Sequence, residues 1–245
     1  MDNTHLILLL AGVTLVAFLY SSVGHAGASG YIAVMTLCGL ATDFIRPTAL
    51  VLNILVASIG SFQFWRAGHF SWRLFWPFAL LCIPAAYLGG YLQLPTSIFK
   101  MLIGAVLLFS AARLFFCPND PPNTTTPPVS GAVGIGAGLG FLAGLTGTGG
   151  GIFLTPLLLF CRWASIRRAA AVSALFILLN SGAGLVGYVS SGRPVPSFAW
   201  VLAVAAVVAG AIGSQLGSRH FPVRIISGIL ATVLVLAGCK LIFTG

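Results

Sequence analysis

The chain has 245 residues, of which 58% are hydrophobic and 6% charged, against ~25% charged in an ordinary soluble domain. So few charges cannot cover a soluble surface, and a mean hydropathy of +1.06 identifies an all-α polytopic membrane protein. A soluble enzyme, a secreted disulfide scaffold and a disordered tail are excluded. The net charge of +9 is no nucleic-acid footprint either, because the basic residues are scattered between apolar runs and first report orientation.

The first apolar run, His5–Tyr20, has no basic segment before it, so it is expected to stay in the mature protein. A glycine-rich apex, Gly24–Gly30, leads into a second short run, Ala28–Leu40. As a helix its 13 residues reach only ~20 Å, short of a hydrocarbon core of ~30 Å. Three long runs follow, roughly Pro47–Trp65, Trp72–Leu92 and Ser97–Phe116. Then comes the one polar, proline-rich stretch, Cys117–Ser130, which cannot lie in hydrocarbon as a helix. It separates a first repeat, residues 1–116, from a second, residues 131–245. The second half repeats the order with Gly131–Leu145, an apex at Gly147–Gly151, Ile152–Cys161, Ala169–Val189, Phe198–Leu216 and Pro222–Phe243. The five cysteines show no metal-binding spacing and read as small core residues.

The two halves align. SVGHAGASGYIAVM, from Ser22, pairs with LTGTGGGIFLTPLL, from Leu145, so Gly24 matches Gly147 and Gly27 matches Gly150. Further on, Gly68 matches Gly192, Trp76 matches Trp200, Pro95 matches Pro222 and Arg113 matches Lys240. Such a duplication is a transporter signature. If each half crosses the membrane an odd number of times, the second is inverted and the basic residues divide 8 against 4. Parallel halves give at best 7 against 5. The positive-inside rule thus favours inverted repeats, with the linker cytoplasmic and both termini outside. The count leaves open whether the short pairs are full crossings or re-entrant hairpins.

The apices are the sharpest chemical signal. Glycine permits tight turns and close approach of a ligand to peptide N–H groups, and the next helix begins with free N–H groups and the positive end of its dipole. That makes an anion site of Gly147, Gly149, Gly150 and Gly151, with Thr146 and Thr148 as hydroxyl donors. Its counterpart is Gly24, His25, Gly27 and Ser29. The bland alternative is that these glycines only allow close helix packing. A methyl group at Gly150 is expected to weaken anion binding in a folded protein. Asn53 and Asn180 lie in the third segment of each half, about a turn out of register, as amide donors or as helix–helix glue. His25 can couple anion movement to protons or sit as a neutral hydrogen-bonded residue. Arg46, Arg167 and Arg168 open the third segments, either to draw anions in or to anchor orientation. No carboxylate lies deep in an apolar run, which argues against a proton relay or a metal-ion pathway.

GLTGTGGGIFLTPLLLF, followed by Arg167-Arg168-Ala-Ala-Ala and a helix carrying Asn180, resembles the sulfite exporter TauE/SafE family of bacterial membrane permeases. The resemblance covers nearly the whole chain, including Trp72-Arg73. The first half departs from the pattern: Ala28 replaces a third glycine, Ala33 stands where the second half has Pro156, and His25 intrudes. The resemblance implies an inner-membrane permease for a small, often sulfur-containing anion.

The expected function is a secondary transporter that exports a small anion, sulfite or an organosulfonate, by alternating access. It is not an enzyme, and it uses no cofactor or metal. Its partners are the anion and the lipid bilayer. The alternatives are an importer of a sulfur-containing anion, and a non-transporting membrane subunit or scaffold.

Overall fold

The computed structural model describes residues 3–22, 24–92 and 124–217, with isolated positions at 98, 101, 102, 104, 105, 108, 109, 112, 235 and 239. The runs Ser97–Phe116 and Pro222–Phe243, and with them Arg113 and Lys240, lie outside the described residues. So do the Pro95–Pro222 pairing and most of the linker.

Eight helices account for the described chain: α1 (Asn3–Ser22), α2 (Ala28–Leu37), α3 (Thr42–Arg66), α4 (Trp72–Tyr91), α5 (Val129–Thr146), α6 (Gly151–Phe160), α7 (Ile166–Ser190) and α8 (Phe198–Gly217). Five of them, α3, α4, α5, α7 and α8, are long and apolar enough to cross a membrane. With lipid-facing side chains such as Leu80, Trp200 and Val204 more than half exposed, this is a multi-pass membrane protein. The first member of each short pair is longer than its apolar run, 20 residues for α1 and 18 for α5. Serine, threonine and glycine at the ends extend the helices past the strictly apolar stretch. The second members, α2 and α6, have 10 residues each, about 15 Å of helix. Helix α5 already begins at Val129, so the last two residues of the expected linker, Val129 and Ser130, are helical.

The helices pack as two exchanged groups. One core joins α1, α2 and α3 to α8, through Leu9, Val13, Ile32, Leu52, Leu202 and Ala206. The other joins α5, α6 and α7 to α4, through Phe75, Phe78, Ala132, Leu154, Val172 and Phe176. Each group thus borrows its fourth helix from the other half of the sequence. The long helices α3 and α7 meet at the seam and run oppositely. Leu50, early in α3, touches Gly184, late in α7, while Phe64 at the end of α3 clusters with Ala170 and Ala171 at the start of α7. Helix α4 leaves the end where Phe78 meets Trp163 and finishes beside Arg46 and Arg193. Helix α8 leaves that second end, where Phe198 meets Phe44 edge-on at 6.1 Å.

The tightest seam is α4 against α5. Gly136, Gly140 and Gly144 form a small-residue stripe at every fourth position, and a Cβ on any of them would strike the carbonyl oxygen of Phe78, Cys82 or Ala86. Without a hydrophobic drive between helices in lipid, such backbone approach supplies the dispersion contacts that hold them together. Gly140→Ala is expected to destabilise the protein by about 1–3 kcal/mol, as overpacked sites do. Gly138→Ala, with open space around it, leaves the detergent melting temperature unchanged or slightly higher.

Candidate functional site

The second apex is a helix break between α5 and α6. Gly147 closes α5 with φ +78° and donates its N–H to Ala143 O at 2.8 Å. Gly149 and Gly150 follow with φ +72° and +77°, and Gly150 caps α6. Only glycine takes these angles without strain. The first turn of α6 then points N–H groups with no intrahelical acceptor back at the break.

Helices α3 and α7 wall this break. A Cβ at Gly149 would sit 3.0 Å from Asn53 Nδ2 and 2.9 Å from Ser181 Oγ; one at Gly150 would sit 3.4 Å from Asn180 Nδ2. The offset of about a turn between the two asparagines places them around one apex rather than one at each. Both are fully buried. Asn53 Nδ2 donates to Ser181 Oγ at 3.3 Å and Gly147 O at 3.4 Å, while its Oδ1 has no partner. Neither amide atom of Asn180 has one. A buried amide left unanswered costs about 1–3 kcal/mol, so Asn180 is the outstanding polar group of the site. Thr146 and Thr148 join hydroxyls at 2.9 Å, and Thr146 Oγ1 also donates to Leu142 O.

The first apex is built differently. Gly24 fits against Ala170 and Phe64, and Gly27 against its own Tyr31 ring. Ser29 Oγ hydrogen-bonds Tyr20 OH at 2.9 Å. His25 reaches across to the other half: its Nε2 lies 3.0 Å from Thr155 Oγ1, which donates to Ser173 Oγ at 2.8 Å. With the threonine proton committed to Ser173, Nε2–H of His25 is the donor. Tyr31 OH is buried without a partner.

Thr155, Ser173, Ser181 and Tyr31 were not singled out from the sequence. Ser173, Ile177, Asn180 and Ser181 recur at 4, 3 and 1 positions, one helical face, and that periodicity was the available signal.

Arg46 lies inside the fold rather than facing a vestibule. It is 4% exposed and binds carbonyls at two helix ends. Nη1 donates to Leu92 O at 3.0 Å; Nη2 donates to Gly90 O at 2.8 Å, Gly144 O at 2.7 Å and Gly89 O. Arg193 adds Gly90 O at 2.7 Å and stacks on Tyr188 with 4.1 Å to the ring centroid. At the opposite end Thr125 N donates to Arg162 O at 2.8 Å, tying the approach to α5 to the exit of α6. The α5–α6 pair therefore starts and finishes at one end of the bundle. There too His69, after α3, has its pKa lowered, first by burial and then by Arg167 and Arg168. Arg167 and Arg168 are exposed.

Comparison with known proteins agrees with this architecture. The profile described as Sulfite exporter TauE/SafE matches residues 8–241, and the chain belongs to that family. It is 41% identical over 248 residues to the "Probable membrane transporter protein y4hK" of Sinorhizobium fredii, covering 98% of this chain and 100% of the relative. It is 27% identical over 244 residues to the "Probable membrane transporter protein YjnA" of Bacillus subtilis, covering 89% and 92%. "Probable membrane transporter protein YunE" of Bacillus subtilis is 33% identical over 136 residues, 54% of this chain and 48% of the relative. No solved structure matches the chain. The protein is a membrane transporter of the TauE/SafE type.

Two outcomes follow for the apex. Arg46→Met removes four carbonyl contacts, of which those to Gly89 O and Gly144 O are not shared with Arg193, at ~1–3 kcal/mol per buried group, and should abolish folded protein in a detergent stability assay, whereas Arg167→Gln should not. Gly150→Ala is not the clean binding test that the sequence implied. Its φ of +77° and a clash with Phe176 Cε1 at 2.9 Å should lower the melting temperature by an amount equivalent to about 1 kcal/mol or more.

Proposed function

We propose that the protein is a secondary transporter that exports a small anion, sulfite or an organosulfonate, across the bacterial inner membrane. The observation that carries this reading is the buried, unpartnered Asn180 amide facing Gly150 at the start of a helix that begins inside the fold. A half-helix N-terminus offers free N–H groups and a positive dipole end, the usual answer to an anion inside a membrane. Thr146, Gly147, Thr148, Gly149, Gly151 and Asn53 complete that binding site. Gly24, His25, Gly27 and Ser29 form the opposing apex. Export follows from energetics: an inside-negative potential drives anions outward without further coupling.

The two repeats, 1–116 and 131–245 about the linker at 117–130, are proposed to be inverted and to rock about the α3–α7 seam in alternating access. Opposite running directions of α3 and α7, and of α4 and α8, support this, as does the equal length of each pair, 25 and 20 residues. Arg66, Arg73, Arg162, Arg167 and Arg168 belong to the turns at the linker end, Arg46 and Arg193 to the other. The excess argues for a cytoplasmic linker and extracytoplasmic termini.

In proteoliposomes, Asn180→Ala should remain folded and weaken sulfite affinity at least ~10-fold, about 1.4 kcal/mol. Wild-type affinity in the folded variant would move the site elsewhere. In a cysteine-free background, Thr124→Cys should react with an impermeant maleimide only in inside-out vesicles. Labelling in right-side-out vesicles would reverse the orientation.

A further inference from the structure

We propose that the apex selects singly charged anions, hydrogensulfite or a sulfonate, over doubly charged ones of similar size. The inference rests on the transporter reading and names the charge state of its substrate.

The argument is a local charge balance. Among the described residues Arg46 is the only lysine or arginine that is buried. Its guanidinium lies on carbonyls of Gly89, Gly90 and Leu92 at the end of α4 and of Gly144 at the end of α5. A helix C-terminus carries roughly −0.5 of an elementary charge. Two such ends therefore offset about one full positive charge, and Arg46 leaves little field for a ligand. Arg193 adds a cation at the same α4 end, but it is part-exposed and Asp43 acts on it. What remains facing the break is the N-terminus of α6, roughly +0.5, and neutral donors: Asn180 and the first-turn N–H groups. The flanking side chains Phe176, Ile177 and Ala143 are apolar.

Helices α5 and α6 carry no ionisable side chain. Helix α3 contributes Arg46, and the turn after α1 contributes His25, bonded to Thr155. That inventory offsets roughly half of one negative charge through the α6 dipole and answers the rest with neutral donors. A second negative charge would enter a low-dielectric site with no cation to meet it, where an uncompensated charge is expensive.

Sulfite passes between its singly and doubly charged forms near neutral pH, methanesulfonate stays singly charged, and sulfate stays doubly charged. The test is competition against labelled sulfite in wild-type proteoliposomes on either side of neutrality. Methanesulfonate should compete equally at both pH values, sulfate at least ~10-fold more weakly, about 1.4 kcal/mol. Sulfite flux in the wild type should rise on acidification with the hydrogensulfite fraction. Sulfate competing as well as methanesulfonate overturns the inference alone. So does a pH dependence of methanesulfonate competition that His25→Gln removes, because the titrating group would then be the protein's. Failure of labelled sulfite to move at all overturns the transporter reading and this inference with it.

Discussion

A helix that stops inside hydrocarbon leaves carbonyls at one break point and N–H groups at the next, with no water to satisfy either. Everything distinctive in this structure depends on how those two sets are answered. The carbonyls have an internal solution: Arg46 reaches the ends of α4 and α5 together, 43 to 98 positions away in sequence. One planar guanidinium with several donors serves both ends, which the point charge of a lysine would do less well. At the start of α6, Phe153 and Leu154 donate their N–H groups to Gly150 O at 3.1 Å, and the N–H groups ahead of them have no acceptor one turn back in the helix. The two helix ends are thus answered differently, the carbonyls by a side chain and the N–H groups by the geometry of the glycine turn.

The glycine stripe on α5 is part of the same solution. Arg46 can touch Gly144 and Gly90 together only because the α4 and α5 backbones nearly meet, and they nearly meet because Gly136, Gly140 and Gly144 carry no side chain. Close packing here therefore sets electrostatics as well as stability. The duplicated sequence does not use both apices alike. At the first, Ala170 stands in α7 where Arg46 stands in α3, the space at Gly24 is taken, and Ser29 is occupied by Tyr20. Both apices are closely packed; the first lends His25 to the other half, and the second faces the unpartnered amide of Asn180.

Much of this was legible in the sequence. Both apices and the half-length second helices follow from glycine spacing and apolar run length, which are local properties. Gly150 was correctly placed at the break, but its φ, and so the cost of a methyl there, depends on how the turn closes. Arg46 was illegible for a stronger reason. A lone arginine at the start of an apolar run looks like a boundary residue, and only the fold brings two helix ends to it. Asn53 and Asn180 looked like imperfect equivalents. Because α3 and α7 run oppositely past a single apex, the mismatch in register brings them to the same place. Ser173 and Ser181 share the helical face of Asn180, yet a serine in a membrane helix commonly bonds its own backbone, as Ser214 does to Gly210 O at 2.7 Å. Nothing local distinguishes the two cases.

The distribution of charge then has a mechanical meaning. Most of the described arginines lie at the ends of the bundle, the usual place for cations in a membrane protein. Inside, where a full cation would hold an anion too long, the structure presents dipoles and amides. A permeation site must bind strongly enough to admit its ligand and weakly enough to release it. A neutral donor set at a half-helix N-terminus holds an anion less tightly than an unopposed arginine would in the same low-dielectric setting. The backbone carbonyls around Arg46 join the ends of α4 and α5 through one side chain and leave no unopposed buried arginine among the described residues.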